Sequence, residues 1–217
     1  MLIHEIMSPH PIVIDPDMSV TRAQRLMKEE RIRHLPVVEE SKGLVGLITR
    51  DALNRATPSE LSSLSIWEIN YRLNQIKVRE VMVKQVLTVT EGTTVEDAAR
   101  IMIDKKIGCL PVMRDGQLAG IVTDIDLLKA LSSLMGWRQP GVRVTVQVPD
   151  ETGQLARVAT AIAEAGGLLA GGGSYPAAEP LKANIVFKVR NVSPEKLKTL
   201  LAGLDDVEIL DIRESHP

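Results

Sequence analysis

The side chains able to do covalent chemistry are few and scattered in this 217-residue chain. Its four histidines, His4, His10, His34 and His216, stand in no pattern with a nucleophile or with metal partners. The single cysteine, Cys109, lies between Gly108 and Leu110-Pro111, the setting of a small apolar filler. One cysteine allows no internal disulfide and gives no zinc-ligand spacing. The run Gly171-Gly172-Gly173 lacks the following Lys-Ser/Thr of a phosphate-gripping loop, and no GxSxG is present. No reaction and no metal site can be assigned on these residues. What remains is the chemistry of non-covalent binding. Thr123 is followed three residues later by Asp126, and Thr49 two residues later by Asp51. Arg33 and His34 precede Leu35-Pro36-Val37, where Gly108 and Cys109 precede Leu110-Pro111-Val112. Carboxylates accept, hydroxyls do both, and cations donate to anions. The Thr and Asp side chains could equally cap a helix, and the cations could be a solvated strand end.

These residues sit in a repeat. A shift of 75 positions pairs Ile3, Glu5 and Met7 with Val78, Glu80 and Met82, and Val20, Ala23, Arg25 and Met27 with Val95, Ala98, Arg100 and Met102. Ile32, Leu35, Pro36 and Val37 meet Ile107, Leu110, Pro111 and Val112. After one residue is lost in a turn, Gly46, Thr49, Leu53 and Ala56 meet Gly120, Thr123, Leu127 and Ala130. Each copy reads as β-α-β-β-α. Ser19 and Thr94 are placed to cap the first helices, and Asp115-Gly116 is a hairpin turn. A unit of about sixty residues is marginal alone, so the two copies are expected to pack sheet to sheet.

The repeated segments "HLPVV…GLITRDAL" and "CLPVM…GIVTDIDLLKAL", each preceded by "EIM" or "EVM", resemble a pair of CBS domains, the tandem called a Bateman module. The resemblance covers residues 1–135. It implies an adenosine-containing ligand (AMP, ADP, ATP or S-adenosylmethionine) in clefts between the copies. It gives Thr123 and Asp126 the ribose. It places adenine against Ile107, Gly108, Cys109, Leu110 and Pro111, with Val83 and Val86 as the other wall. In the first copy Ala52 stands three after Thr49, and Asp51 comes one place early. A helix turns about a hundred degrees per residue, so that carboxylate is expected to point elsewhere. Arg33 and His34 stand where related modules reach a ligand phosphate. They would serve that phosphate across the pseudo-twofold axis, or a second, weaker site. Asp124 and Asp126 would repel a triphosphate, which favours AMP, ADP, adenosine or S-adenosylmethionine.

Residues 57–77 read as a connecting helix with a stripe at Ile66, Ile69, Leu73 and Ile76 and a Trp67/Tyr71 pair. The segment 136–141 reads as a linker. Residues 142–213 then give βαββαβ, a ferredoxin-like order, with Ser193 capping the last helix and Pro194 at its first position. "VPDETGQLARVATAIAEAG" resembles the opening of an ACT domain. That resemblance implies a subunit interface or a small amino acid at the turn of Asp150, Gly153 and Leu155. Equally, Asp150 could cap the helix and Gly153 only make the turn. The fold class is thus α+β: first CBS domain 1–56, second 78–135, ACT domain 142–213. Two CBS units followed by an ACT domain resemble the acetoin-utilisation AcuB-type family, carried by "RHLPVV", "GCLPV" and the "QPG" linker.

Composition narrows the function classes. A formal net charge of −2 and 2% aromatic residues argue against a nucleic-acid platform. No apolar run approaches a bilayer span, and "MLIHEIMSPHP" lacks a signal-peptide core, so a soluble cytoplasmic protein is expected. The reading is a ligand-sensing regulator, a homodimer that controls an unidentified partner protein and is not an enzyme. The alternative is a structural adaptor with degenerate clefts.

Overall fold

The computed structural model describes residues 1–55 and 74–215. In chain order the first part runs β1 (Ser8–Pro9), α1 (Val20–Glu29), β2 (His34–Glu39), β3 (Gly43–Thr49), α2 (Arg50–Arg55), α3 (Val78–Val81), β4 (Val89–Thr90), α4 (Val95–Lys105), β5 (Cys109–Arg114), β6 (Gln117–Thr123) and α5 (Asp124–Leu134). The Ser19 hydroxyl accepts from the Arg22 N–H at 3.3 Å, and that of Thr94 from Asp97 at 3.1 Å. Both bonds satisfy helix-start donors that have no partner within the helix. α1 buries Val20, Ala23 and Met27, and α4 buries Ala98 and Met102, all at helical spacing. Asp115 and Gly116 have φ of 49° and 78°, the two positive values that a tight hairpin between β5 and β6 requires. The stripe at Ile66, Ile69 and Leu73 and the Trp67/Tyr71 pair lie outside the described residues.

Two compact units emerge, Met1–Leu127 and Leu128–Pro217. Within the first, the copies exchange their leading segments. β1 pairs antiparallel with β6 of the second copy, Ser8 opposite Ile121 and Pro9 opposite Gly120. Ile3, fully buried, belongs to the second copy's core with Val89, Ala98, Leu110, Val112 and Val122. Reciprocally, Val78 is buried in the first copy's core with Ile14, Val20, Leu35, Ile48 and Leu53. Val83 and Leu47 exchange backbone hydrogen bonds at 2.9 and 3.0 Å. The repeated Met and Gly positions explain each other. A Cβ on Gly46 would strike the Met82 thioether, and one on Gly120 that of Met7, so each glycine makes room for the other copy's methionine. Between the copies Leu47, Cys109 and Ile121 form a separate buried cluster.

The second unit continues with β7 (Gly141–Pro149), α6 (Gln154–Glu164), β8 (Leu168–Pro176), β9 (Lys182–Arg190), α7 (Pro194–Ala202) and β10 (Glu208–Ser215). Its antiparallel sheet has the order β10-β7-β9-β8, the arrangement of a ferredoxin-like βαββαβ unit. Val142, Val144, Val146 and Val148 alternate onto one face and pack with Val158, Ile162, Leu197 and Leu201. The Ser193 hydroxyl caps α7 with Pro194 at its first position. Leu155 is 44% exposed, and α6 buries Val158, Ala161 and Ile162. The glycine run also has a cause. A Cβ on Gly171 would collide with the Leu134 carbonyl and the Gly136 nitrogen, so the chain after α5 passes directly over β8.

Candidate functional site: a cleft between the two copies

The site begins where β3 runs into α2. The Thr49 hydroxyl accepts from the Ala52 N–H at 3.1 Å and so caps the turn itself. Ala52, three residues after Thr49, is buried in the first copy's core. That position therefore faces inward, and Asp51 is left exposed at the rim of a cavity. Asp51, whose carboxylate the residue count turns away from the position of Asp126, is thus among the residues lining the cavity. In the second copy the +3 residue is Asp126. Its carboxylate accepts from the Thr123 N–H at 3.0 Å and from the Thr123 hydroxyl at 2.7 Å.

The cavity has a volume of about 350 Å³, within the range of small-ligand sites. The first copy supplies His34, Leu47, Thr49, Asp51 and Arg55. The second supplies Val83, Gln85, Val86, Leu87, Lys106, Ile107, Gly108 and Cys109. Of the residues singled out in the sequence, His34, Thr49, Asp51, Val83, Val86, Ile107, Gly108 and Cys109 thus come together. Leu110 and Pro111 do not line it, and Leu110 is in the second copy's core. Thr123, Asp126 and Arg33 are not on its wall either. The sequence reading missed Leu47, Arg55, Gln85, Leu87 and Lys106. For Arg55 a signal existed, since it follows Asp51 by four residues on one helix.

Arg33 has another occupation. Its guanidinium donates to the Asp124 carboxylate at 3.0 Å, from the first copy to the second. The repeat mate of Arg33 is Gly108. A Cβ there would lie 3.4 Å from the Asp124 carboxylate and 3.7 Å from the His34 ring. The charged pair at one position and the bare backbone at its mate make the two halves of the module unequal. Burial, and then the neighbouring Arg33 charge, hold the His34 imidazole below its usual range. Burial pushes the Cys109 thiol up to about 12, with Asp124 adding to the effect. Burial thus favours the protonated thiol at neutral pH.

The CBS-domain family model matches the chain twice, at residues 3–58 and 78–133. The chain belongs to the CBS-domain family. Uncharacterized protein MJ1426 of Methanocaldococcus jannaschii is 34% identical over 154 residues, 60% of this chain and 91% of that protein. The inosine-5′-monophosphate dehydrogenase of Staphylococcus haemolyticus is 34% identical over 125 residues, but the match spans only 22% of that enzyme. Among solved structures, the CBS domain pair of protein MJ0100, in complex with 5′-methylthioadenosine and S-adenosyl-L-methionine, is 28% identical. Its TM-score is 0.51, over 61% of this chain and 96% of that one. CBSX2 in complex with AMP is 29% identical with a TM-score of 0.50, covering 60% and 95%. The AcuB protein from Vibrio cholerae is 30% identical with a TM-score of 0.50, covering 60% and 90%.

Beyond the CBS pair, the turn of Asp150, Gly153 and Leu155 is open to solvent. Gly153, with φ of 91°, is the N-cap of α6, and no side chain caps that helix. The capping role weighed for Asp150 is therefore not found; its own N–H donates to the Leu181 carbonyl at 2.9 Å. The groove of about 310 Å³ in this unit lies along Gln147, Pro149, Lys182, Asp206 and Glu208 and includes none of the three turn residues.

Proposed function

We propose that this CBS-domain protein is a sensor. An adenosine-containing ligand binds in the cleft between the copies, and occupancy controls a partner protein. The observation that carries the reading is the cleft itself. It sets a rim carboxylate, Asp51, beside apolar walls from both copies, Leu47 from one and Val83, Val86 and Ile107 from the other. Apolar walls suit a purine face, and a carboxylate accepts from paired ribose hydroxyls. Two CBS-pair neighbours that carry AMP or S-adenosylmethionine with methylthioadenosine support the ligand class. Because both copies build the wall, a ligand that prefers one arrangement of the copies shifts the pair towards it. This is regulation rather than catalysis. The enzyme among the relatives shares only a CBS-sized fraction with the chain.

The boundaries proposed for the parts are 1–56 and 78–135 for the CBS domains, 57–77 for their connection, 136–141 for a linker and 142–213 for an ACT-type domain. The strand order of the second unit supports the last. A homodimer, a small amino acid at the Asp150–Leu155 turn and a cytoplasmic setting complete the proposal. A link to acetoin metabolism draws on the AcuB likeness alone. The rival reading, an assembly adaptor, draws on the exposed apolar residues Leu128, Leu131 and Leu134 of α5.

Titration calorimetry on nucleotide-free protein tests the proposal. AMP is expected to bind saturably, and Asp51→Ala to weaken it about tenfold, equivalent to ~1.4 kcal/mol, with Asp126→Ala retaining affinity. Loss in Asp126→Ala with Asp51→Ala unchanged would move the site to the second copy. Absence of saturable binding by any adenosine compound would leave the adaptor reading.

A further inference from the structure

The second unit has a sheet face that its helices leave open. Val158 and Ile162 of α6 and Leu197 and Leu201 of α7 all pack on the valine face. On the opposite face the register sets Arg213 of β10 opposite Arg143 of β7, and Arg143 opposite Lys188 of β9. Directly opposite side chains share a face with Cβ atoms about 5 Å apart, and like charges there are destabilising. The Asp211 carboxylate accepts from Arg143 and from Arg213, each at 2.9 Å. Lys188 is buried, and its ammonium donates to the Ser215 carbonyl at 3.0 Å. Among the described residues no carboxylate pairs with it. Arg190, two residues along β9 and so on the same face, has a buried Nε without a hydrogen-bond partner. The chain after α5 crosses this face beside Lys188, where a Cβ on Gly136 would lie 3.2 Å from the Lys188 Cγ. The next two residues present an exposed Trp137 with the Arg138 guanidinium 4.5 Å from its ring centre. We propose that this face is the docking surface for an acidic segment of a partner protein, with Arg143, Arg213 and Trp137 as its main contacts.

The physical case is one of charge. Three cations in a row across three strands weaken the sheet, a breach of local rules that folds retain at functional sites. The side chains of Arg143 and Arg213 are 41% and 67% exposed, so their guanidinium forks remain open to further carboxylates. Arg and Trp are the residue types that most often carry the energy of protein interfaces. The groove of this unit lies at the other end of the same face, along Gln147 and Lys182. The cationic row is open sheet, suited to an extended segment rather than to an enclosed small ion. The formal net charge of −2 gives the chain no global attraction to nucleic acid, so the patch acts locally. The inference takes from the proposed function only that a partner protein is controlled.

Fluorescence anisotropy on the intact chain, without nucleotide, tests this with a labelled oligoglutamate peptide as the probe. The peptide is expected to bind saturably at low salt and to weaken as salt rises. Arg143→Gln and Arg213→Gln should each weaken it roughly five- to tenfold, on the scale of a hydrogen bond to a charged group, and Trp137→Ala should weaken it too. Arg213→Lys should keep part of the affinity. Arg25→Gln, which removes an exposed cation from α1, should leave binding unchanged. Unfolding midpoints identify any variant that fails through its fold, and Arg213→Gln, at the exposed sheet edge, keeps the test decisive if Arg143→Gln is unstable. Absence of saturable binding, or an equal loss in Arg25→Gln, overturns the docking surface. So does displacement by inorganic phosphate at matched ionic strength, which marks a small-anion site, or tighter binding of single-stranded RNA of matched charge. Each of these failures leaves the cleft reading standing, because no adenosine compound is present.

Discussion

Single residues decide how the two copies differ. Arg33 and Asp124 form an ion pair whose side chains are 47% and 48% exposed. Such a pair contributes ~1 kcal/mol at most. Its importance is positional, since it ties the start of β2 in the first copy to the start of α5 in the second. His34 gives a measurable pH effect. Burial is the main cause that holds its folded-state titration below 6.5, followed by Arg33, while Asp124 and Asp51 act in the opposite sense. The unfolded chain therefore takes up the proton first as pH falls. The stability that neutral His34 contributes is complete above pH 6.5 and is lost as pH drops through the lower folded value. Urea midpoints should fall between pH 7.5 and 5.5, and His34→Gln should flatten that dependence. An unchanged slope in the variant would show that other groups carry it.

At the scale of elements, the exchanged leading segments are the central feature. The short helix that holds Ile3 is bonded to the second copy, with the Ile3 N–H donating to the Thr93 carbonyl at 2.9 Å. Val78 closes the first copy in the same way, its N–H donating to the Met18 carbonyl at 2.9 Å. Neither copy has a complete core without the other's segment. Ile3→Ala should therefore destabilise the second copy's core by about 2–5 kcal/mol, although residue 3 belongs to the leading segment of the first copy. Chemical denaturation followed by amide exchange would test this. Weakened protection confined to residues near α1 and β2, with α4 and β5 unaffected, would contradict the exchange.

For the whole molecule, the description as two units has a thermodynamic consequence. A ligand that binds only the folded CBS pair stabilises it by mass action, about 2.7 kcal/mol at a hundredfold excess over Kd. Scanning calorimetry with and without AMP should therefore raise the transition of the first unit. The transition of the second, whose core of valines and leucines is its own, should stay where it is. A shared shift of both transitions would mean that the units are coupled on ligand binding, and would direct attention to how the CBS pair signals through the second unit.

The sequence by itself determined the repeated architecture. Periodicity and caps at Ser19, Thr94 and Ser193 are local, so the helices were legible, as was the Asp115-Gly116 turn. The βαββαβ order was legible for the same reason. The residues lining the cleft were legible in part, because Ile107, Gly108 and Cys109 are carried by a repeated strand start. What only the tertiary structure decided is what crosses between copies: the exchange of β1 and Val83, the fit of Met7 over Gly120 and Met82 over Gly46, and the diversion of Arg33 to Asp124. These depend on residues 36 to 113 positions apart meeting in space, and no local pattern specifies such pairs. Asp51 is the instructive case. Counting residues from Thr49 gave its rotation around the helix but not which side of α2 the core would take. Burial of Ala52 fixed that side, and Asp51 lies at the rim of the cleft.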